Sequence, residues 1–282
     1  MVASSVETMP FAKYSLLLLF ALLLQSAPAQ GRSQASLPSI YLWVWRYNAD
    51  MTWIDSRDYG VAYLAGSIRV GRNGPHVFPR LNSLSMPDGT HVEAVVRIEV
   101  DKDARLDDNL SKMLAEKILS LIALNSIRAL QIDFDALKSQ RLFYRKLLFT
   151  LKESLPESVA LKMTALASWV SYDCFSDGLP VQDVVPMFFR MGRDRQSMLK
   201  YLRTTDRLGN LDSIGLCVDE PDVLDAIEKN KTFAISSLKR IYIFSPGGWS
   251  ARSAKQFAKM MNLRQSRRPQ VSGSRNGQLS GK

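Results

Sequence analysis

Short strand-like segments alternate with amphipathic helical segments along most of this chain. Eight segments have the apolar, alternating character of strands, namely Ile40–Arg46, Gly60–Val70, His91–Val100, Leu130–Ala136, Ala160–Trp169, Val184–Met191, Ser213–Glu220 and Arg240–Ser245. Helical spacing of apolar residues lies between several of them, at Asp108–Leu124, Ser139–Ser154, Asp194–Arg203, Pro221–Lys229 and Ser250–Met261. Eight strands with intervening helices predict an α/β fold, a (β/α)8 TIM-type barrel.

The first two connections are less regular than the others. Residues 47–59 and 71–90 are rich in Gly, Pro, Asn and Asp and predict loops with little helix, so the barrel is expected to be irregular on that side. A doubly wound open sheet is the alternative. It would need a glycine-rich phosphate turn after the first strand, and residues 45–48 supply none.

Alternation along the strands predicts which side chains face the barrel interior. It assigns interior positions to residues on four strands: Val95, Arg97, Glu99, Gln131, Asp133, Asp135, Gly215, Cys217, Asp219, Arg240, Tyr242 and Phe244. A buried charge is costly unless it is paired. Arg97 is therefore expected to form a structural ion pair with Asp133 on the neighbouring strand, and a purely structural ion-pair network is one interpretation of all these charges.

The segment 129–136, Ala-Leu-Gln-Ile-Asp-Phe-Asp-Ala, carries the strongest functional signal. Asp135 lies one pleat closer than Asp133 to the C-terminal mouth of the barrel, where barrel enzymes place their chemistry. The structural alternative is a strand end whose two aspartates cap the next helix. The segment alone favours neither interpretation.

The net charge of +10 does not indicate a nucleic-acid partner. Five of these charges lie in residues 264–282, which contain no acid and are rich in Ser, Gly, Gln and Asn, so they are predicted to form a disordered basic tail. The rest of the chain carries about +5, and its basic residues are not interleaved with aromatic ones.

Residues 1–29 have the features of a secretory signal peptide. Lys13 precedes the apolar run 14–24, and cleavage is expected after Ala29 in the sequence Ala-Pro-Ala. The run is too short to span a bilayer comfortably, and no later stretch approaches ~18 apolar residues. We therefore expect an exported protein, periplasmic or secreted, with a single barrel domain at 30–263. An uncleaved N-terminal membrane anchor is the alternative.

Cysteine and histidine positions predict no metal site. Cys174 and Cys217, with His76 and His91, lack any spacing typical of metal ligands, although export would permit a disulfide. Nothing places a serine or cysteine beside a histidine as a triad, and there is no glycine-rich phosphate loop. No cofactor is expected.

Several motifs resemble the domain-of-unknown-function 3142 family of bacterial proteins. They span residues 40–250 and comprise Leu42-Trp-Val-Trp-Arg46, Gly60-Val-Ala-Tyr-Leu64, Leu130-Gln-Ile-Asp-Phe-Asp-Ala136, Met163-Thr-Ala-Leu-Ala-Ser-Trp169 and Val185-Pro-Met-Phe-Phe-Arg-Met-Gly192. The resemblance implies a distant relationship to barrel glycoside hydrolases.

Family 18 chitinases carry Asp-x-Asp-x-Glu at the end of strand four and Met-x-Tyr-Asp on strand six. Asp133 and Asp135 match the two aspartates, but Leu137 stands where the proton donor would be, and Arg190 replaces the strand-six aspartate. The resemblance therefore does not imply substrate-assisted chitinase chemistry.

Glycoside hydrolysis generally requires two carboxyl groups, one protonated and one ionised. Neighbouring acids in a low-dielectric pocket have separated pKa values, which suits that division. We predict Asp135 as one catalytic carboxyl group and Asp219 as the second, with Glu99 and Glu220 as further candidates.

Aromatic side chains at strand ends would stack on sugar rings. The predicted substrate-binding residues are Trp45, Trp169, Arg190, Trp249 and Tyr242. Core packing is the alternative for each tryptophan, and Arg190 would either bind an anionic substituent or form a structural bridge with Asp135. The sequence therefore predicts an exported glycoside hydrolase-related barrel that acts on a poly- or oligosaccharide. The alternative is a catalytically inactive module for glycan binding or envelope interaction.

Overall fold

The computed structural model describes residues 37–45, 47–122, 127–172, 175–206, 208, 211–233, 235, 238–250, 253 and 256–257. All elements below belong to the compact unit Leu37–Lys282. The predicted signal peptide, the basic tail and Cys174 lie outside the described residues, as does most of the predicted helix Ser250–Met261.

The described strands form a closed barrel of eight parallel strands. The barrel strands are β1 (Ile40–Val44), β3 (Tyr59–Gly71), β6 (His91–Val100), β7 (Ala129–Asp133), β8 (Ala160–Leu166), β9 (Asp183–Met187), β10 (Ser213–Cys217) and β11 (Arg240–Phe244). They lie in the order β1-β11-β10-β9-β8-β7-β6-β3, and β1 also pairs with β3, which closes the sheet. The predicted (β/α)8 TIM-type fold is confirmed.

The described helices flank the barrel, and all of them except Ala167–Tyr172, which begins within a predicted strand, lie where the sequence periodicity predicts helices. They are α1 (Asp108–Ile122), α2 (Arg141–Ser154), α3 (Ala167–Tyr172), α4 (Arg195–Thr204) and α5 (Pro221–Glu228), with 3-10 turns at Lys138–Gln140 and Gly192–Asp194. Asp107 caps α1, because its Oδ1 accepts the backbone N–H of Leu110 at 2.9 Å. Pro221 opens α5 at a position where its missing N–H has no cost.

The irregular side of the barrel contains strands where loops were predicted. β3 extends beyond the barrel and turns back through Gly74 (φ 101°) into antiparallel β4 (Gly74–Pro79). A second small sheet joins β2 (Ala49–Asp50) to β5 (Leu84–Ser85). No helix is described in residues 47–59 or 71–90, in agreement with the prediction.

Two hydrophobic layers match the predicted alternation. Val96, Ile98 and Ile132 belong to the layer between strands and helices. Inside the barrel lies a separate cluster formed by Tyr41, Trp43, Ala62, Val95, Val185, Cys217, Tyr242 and Phe244. Glycine is required at position 215, since a Cβ there would lie 2.7 Å from the indole Cη2 of Trp43.

A buried ionic network fills the N-terminal half of the interior. Lys162 Nζ lies 2.5 Å from Glu93 Oε1 and 3.0 Å from the Tyr242 hydroxyl, which in turn donates to Glu93 Oε2. Asp183 accepts a hydrogen bond from Arg240 at 3.2 Å. Glu93 is fully buried and Lys162 is only 3% exposed, so each charge depends on its partner.

Candidate functional site

A pocket of about 570 Å³ opens at the C-terminal ends of the barrel strands. This is the face on which barrel enzymes carry their active sites. Its lining combines aromatic, acidic and basic side chains, namely Trp43, Trp45, Tyr47, Arg97, Asp133, Asp135, Thr164, Leu166, Ala167, Ser168, Met187, Phe189, Arg190, Met191, Asp194, Met198, Phe244 and Pro246. The volume falls in the range of small-ligand sites, about 300–1,000 Å³.

Asp133 lies at the floor of the pocket and is almost completely buried. It is the last residue of β7, and its Oδ1 accepts a hydrogen bond from Thr164 Oγ1 at 2.7 Å. Burial and, to a lesser extent, the nearby Asp135 charge together raise the pKa of Asp133 to about 6, although the Thr164 hydrogen bond and the charge of Arg97 oppose the rise. At neutral pH this side chain is therefore an ionised carboxylate in an unfavourable environment.

Asp135 lies two residues beyond Asp133, at the mouth of the same pocket. Burial of the carboxyl group within the pocket walls raises its pKa, while the positive charge of Arg97 opposes that rise. Within the described part of the chain, the Asp135 carboxylate has no hydrogen bond or ion pair. The Asp135 carboxylate is thus accessible to an incoming ligand, and no described hydrogen bond or ion pair gives it a structural role.

The predicted ion pair between Arg97 and Asp133 is not formed, and Arg97 pairs with Glu99 instead. Arg97 and Asp133 are register partners on β6 and β7, but Arg97 Nε pairs with Glu99 Oε1 at 3.0 Å. Glu99 lies two residues further along the same strand face, where solvent exposure lets it turn towards Arg97. Glu99 is exposed and does not line the pocket, so its position argues against the predicted catalytic role.

Asp219, the predicted second catalytic carboxyl group, lies outside the pocket. β10 ends at Cys217, and the exposed Asp219 carboxylate lies 2.7 Å from the Cys217 thiol. The pocket instead receives Asp194, from the turn between β9 and α4. Sequence reasoning treated Asp194 only as the start of a helix, although it also follows the C-terminal end of a barrel strand.

Cys217, Asp219 and Glu220 are the one described group with the geometry of a metal site, with ligand atoms within 4.8 Å of one another. Their chemistry is poorly suited to a cation. Burial raises the pKa of the Cys217 thiol to about 12, which keeps it protonated. Glu220 is already paired with Arg195. Cys217 is a free thiol.

Aromatic rings form one wall of the pocket. Phe189 stacks on Phe244 with ring centroids 5.5 Å apart, and Trp45 meets Phe244 edge-on at 5.9 Å. Trp43 lies beneath them, and its Nε1 donates to Gln131 Oε1 at 2.8 Å. Trp45, Phe189 and Phe244 therefore form a continuous aromatic surface in the pocket.

The other three aromatic residues predicted to bind substrate do not line the pocket. Trp169 lies on α3 and packs against Phe175 at 5.1 Å, because β8 ends at Leu166 and not at Trp169. Trp249 is buried, and its Nε1 donates to the backbone carbonyl of Trp43 at 2.9 Å. Tyr242 is completely buried beside Lys162 in the ionic network.

Arg190 lines the pocket in an unusual backbone conformation. Its φ of 51° is the one positive φ at a non-glycine residue in the described chain. Its guanidinium lies 5.4 Å from the centroid of the Phe244 ring, and no described ion pair involves it. The predicted bridge to Asp135 is therefore not formed.

Two solved structures are similar to this chain, and the first of them supports the barrel fold. A protein assigned as chitinase A from Streptomyces coelicolor matches with a TM-score of 0.53 at 13% identity, over 80% of this chain and 98% of that one. The Bacillus cereus spore cortex-lytic enzyme SleL matches with a TM-score of 0.45 at 12% identity, over 79% of this chain and 74% of that one. At these identities, the first match shows the fold alone.

No protein-family model matches this chain, and no curated protein is significantly similar to it. The resemblance to the domain-of-unknown-function 3142 family therefore stays a prediction. What the first match shows is the barrel fold.

Proposed function

We propose that this protein binds a carbohydrate in the pocket at the C-terminal mouth and hydrolyses a glycosidic bond there. The observation that carries the proposal is the Asp135 carboxyl group. It lies at the barrel mouth without a partner among the described residues, its pKa is raised by burial, and an aromatic wall shares its pocket. A raised pKa suits a general acid, which must hold a proton near the working pH.

In this proposal Asp135 donates its proton to the glycosidic oxygen as the bond to the anomeric carbon breaks. A water molecule bonds to the anomeric carbon in the same reaction, and Asp194, the second carboxyl group, takes the proton that this water loses. Asp194 belongs to the connection after β9, two strands away from β7 in the barrel order. That separation is about 10 Å between strand backbones, at ~4.8 Å per strand, which leaves room for a sugar between the two acids.

The aromatic wall gives the sugar its orientation. Trp45, Phe189 and Phe244 present ring faces and edges to the pocket, and the apolar faces of sugar rings pack against such surfaces. Asp133 is too deeply buried to take the proton-donating role. In this proposal it influences the reaction through its charge, because Asp133 and Asp135 each disfavour ionisation of the other.

The alternative function is a glycan-binding module without turnover. Two observations favour it: Leu137 occupies the position of the chitinase proton donor and is exposed, and Asp219 lies outside the pocket. A binding module would use the same aromatic wall and would not depend on the ionisation of Asp135.

The test compares wild type with Asp135→Asn, Asp194→Asn and Asp219→Asn on a panel of bacterial and plant polysaccharides. Release of reducing ends measures turnover, and calorimetry measures binding. We expect the first two variants to lose at least ~100-fold in turnover while they still bind. Asp219→Asn, outside the pocket, should match wild type. Binding without product from the wild-type protein would favour the module.

We further propose that the protein acts outside the cytoplasm, after cleavage of residues 1–29. None of the described helices is long and apolar enough to cross a bilayer. Sequencing of the mature N-terminus from expressing cells tests this proposal, and a mature chain that begins at Gln30 is the expected result.

A further inference from the structure

Arg190 is held in position by contacts that do not involve its side chain. Its backbone N–H donates to Glu220 Oε1 at 2.8 Å. Arg195 binds the other carboxylate oxygen of Glu220 and also holds Asp222 at 2.7 Å. These contacts stabilise the left-handed conformation at Arg190, which a residue with a Cβ rarely adopts. Strain of this kind is concentrated at functional sites.

The guanidinium of Arg190 remains available to a ligand. The neighbouring Glu220 is neutralised by Arg195, and the other arginine of the pocket, Arg97, pairs with Glu99. Arg190 is exposed, lines the pocket and forms no ion pair among the described residues. The guanidinium lies 5.4 Å from the centroid of the Phe244 ring, and its N–H groups can form paired hydrogen bonds with a planar anion.

Arg190 lies on a different side of the pocket from Asp133 and Asp135, although Asp194 belongs to the same connection as Arg190. Asp133 and Asp135 belong to β7, whereas Arg190 follows β9 and leans towards Phe244 on β11, away from β7. A ligand can therefore place an anionic group against Arg190 while another part of it lies beside Asp135.

We propose that Arg190 binds a carboxylate carried by the saccharide, so that the ligands of this pocket are acidic glycans. This inference rests on the proposed function, since it takes the pocket to be a carbohydrate site. Guanidinium and carboxylate groups form paired, charge-assisted hydrogen bonds of matched geometry. Neutral glycans would leave the arginine unpartnered and should bind more weakly.

The experiment uses an array of matched glycan pairs, each with a free carboxylate in one member and none in the other. Oligogalacturonate is paired with its methyl ester, and the disaccharide of N-acetylglucosamine and N-acetylmuramic acid is paired with chitobiose. Binding to immobilised glycans and product release are both measured for wild type, Arg190→Gln and Arg190→Lys. Arg193→Gln is the matched control, because it removes one positive charge from the same connection outside the pocket.

We expect binding to be confined to carboxylate-bearing members. Arg190→Gln should weaken it about 10- to 100-fold, as expected for a charged hydrogen-bonded pair. Arg190→Lys should recover only part of that loss, and Arg193→Gln should bind like wild type. Equal binding of neutral members, an equal loss in Arg193→Gln, or no binding to any glycan would overturn the inference. Cleavage of neutral glycans would overturn this inference while leaving the proposed hydrolysis intact. Binding of acidic glycans without any product would support this inference and overturn the proposed hydrolysis.

Discussion

Replacement of Asp133 by asparagine should stabilise the protein at neutral pH. The pKa of Asp133 rises from 3.8 to about 6 on folding, chiefly because the carboxyl group is buried. At ~1.36 kcal/mol per pKa unit, the ionised carboxylate costs the folded state about 3 kcal/mol above pH 6. An asparagine removes the charge, and its side-chain oxygen can still accept the Thr164 hydroxyl hydrogen bond.

The sign of the pH dependence follows from the direction of the shift. Below pH 3.8 both states are protonated and the cost is absent; it grows between pH 3.8 and about 6 and is constant above that. Urea unfolding of wild type and Asp133→Asn at pH 4, 5, 6, 7 and 8 measures the difference. Asp58→Asn, at an exposed position before β3, is the control. If Asp133→Asn is less stable than wild type at pH 8, or if the difference does not change with pH, the reasoning is refuted.

The remaining predictions concern the interior and the strained arginine. Lys162→Met should destabilise the protein by about 3–5 kcal/mol at pH 7, because Glu93 loses its counter-charge, and a second change to Glu93→Leu should recover most of that loss in urea unfolding. Gly215→Ala should cost about 1–3 kcal/mol in thermal melting, since the new Cβ would lie 2.7 Å from Trp43; an unchanged Tm would show that the ring moves freely. Arg190→Gly should raise stability by up to ~1 kcal/mol because glycine tolerates a φ of 51°, whereas lower stability would mean that the backbone is not strained.

Strand periodicity predicted the barrel because one face of each strand packs against the helices and the other faces the barrel interior. On β6 the predicted bounds are those of the structure, and Val95 and Val96 lie in the inner and outer layers as expected. The same periodicity could have found the ionic network. Glu93 lies two residues before Val95, and Lys162 lies two residues before the pocket-lining Thr164. Alternation therefore places both charged side chains in the barrel interior.

The site was harder to predict because alternation does not mark where a strand ends. Trp169 fits the pattern of β8 but lies on α3, where it faces the outer layer. Asp219 fits the pattern of β10 but lies beyond its end, where the chain no longer points into the barrel. Asp194 and the conformation of Arg190 depend on the turn after β9, which periodicity does not describe.

The barrel interior has a solid floor, and this limits how a polysaccharide can use the pocket. Trp43 lines the pocket and contacts Tyr242, and below it Tyr41 and Tyr242 pack against the Lys162–Glu93 pair. All five side chains are almost inaccessible to solvent. A glycan cannot thread through the barrel from one end to the other. Under the proposed function, a glycan would insert a chain end or lay a bent segment across the rim, and its product would leave by the opening through which the substrate entered.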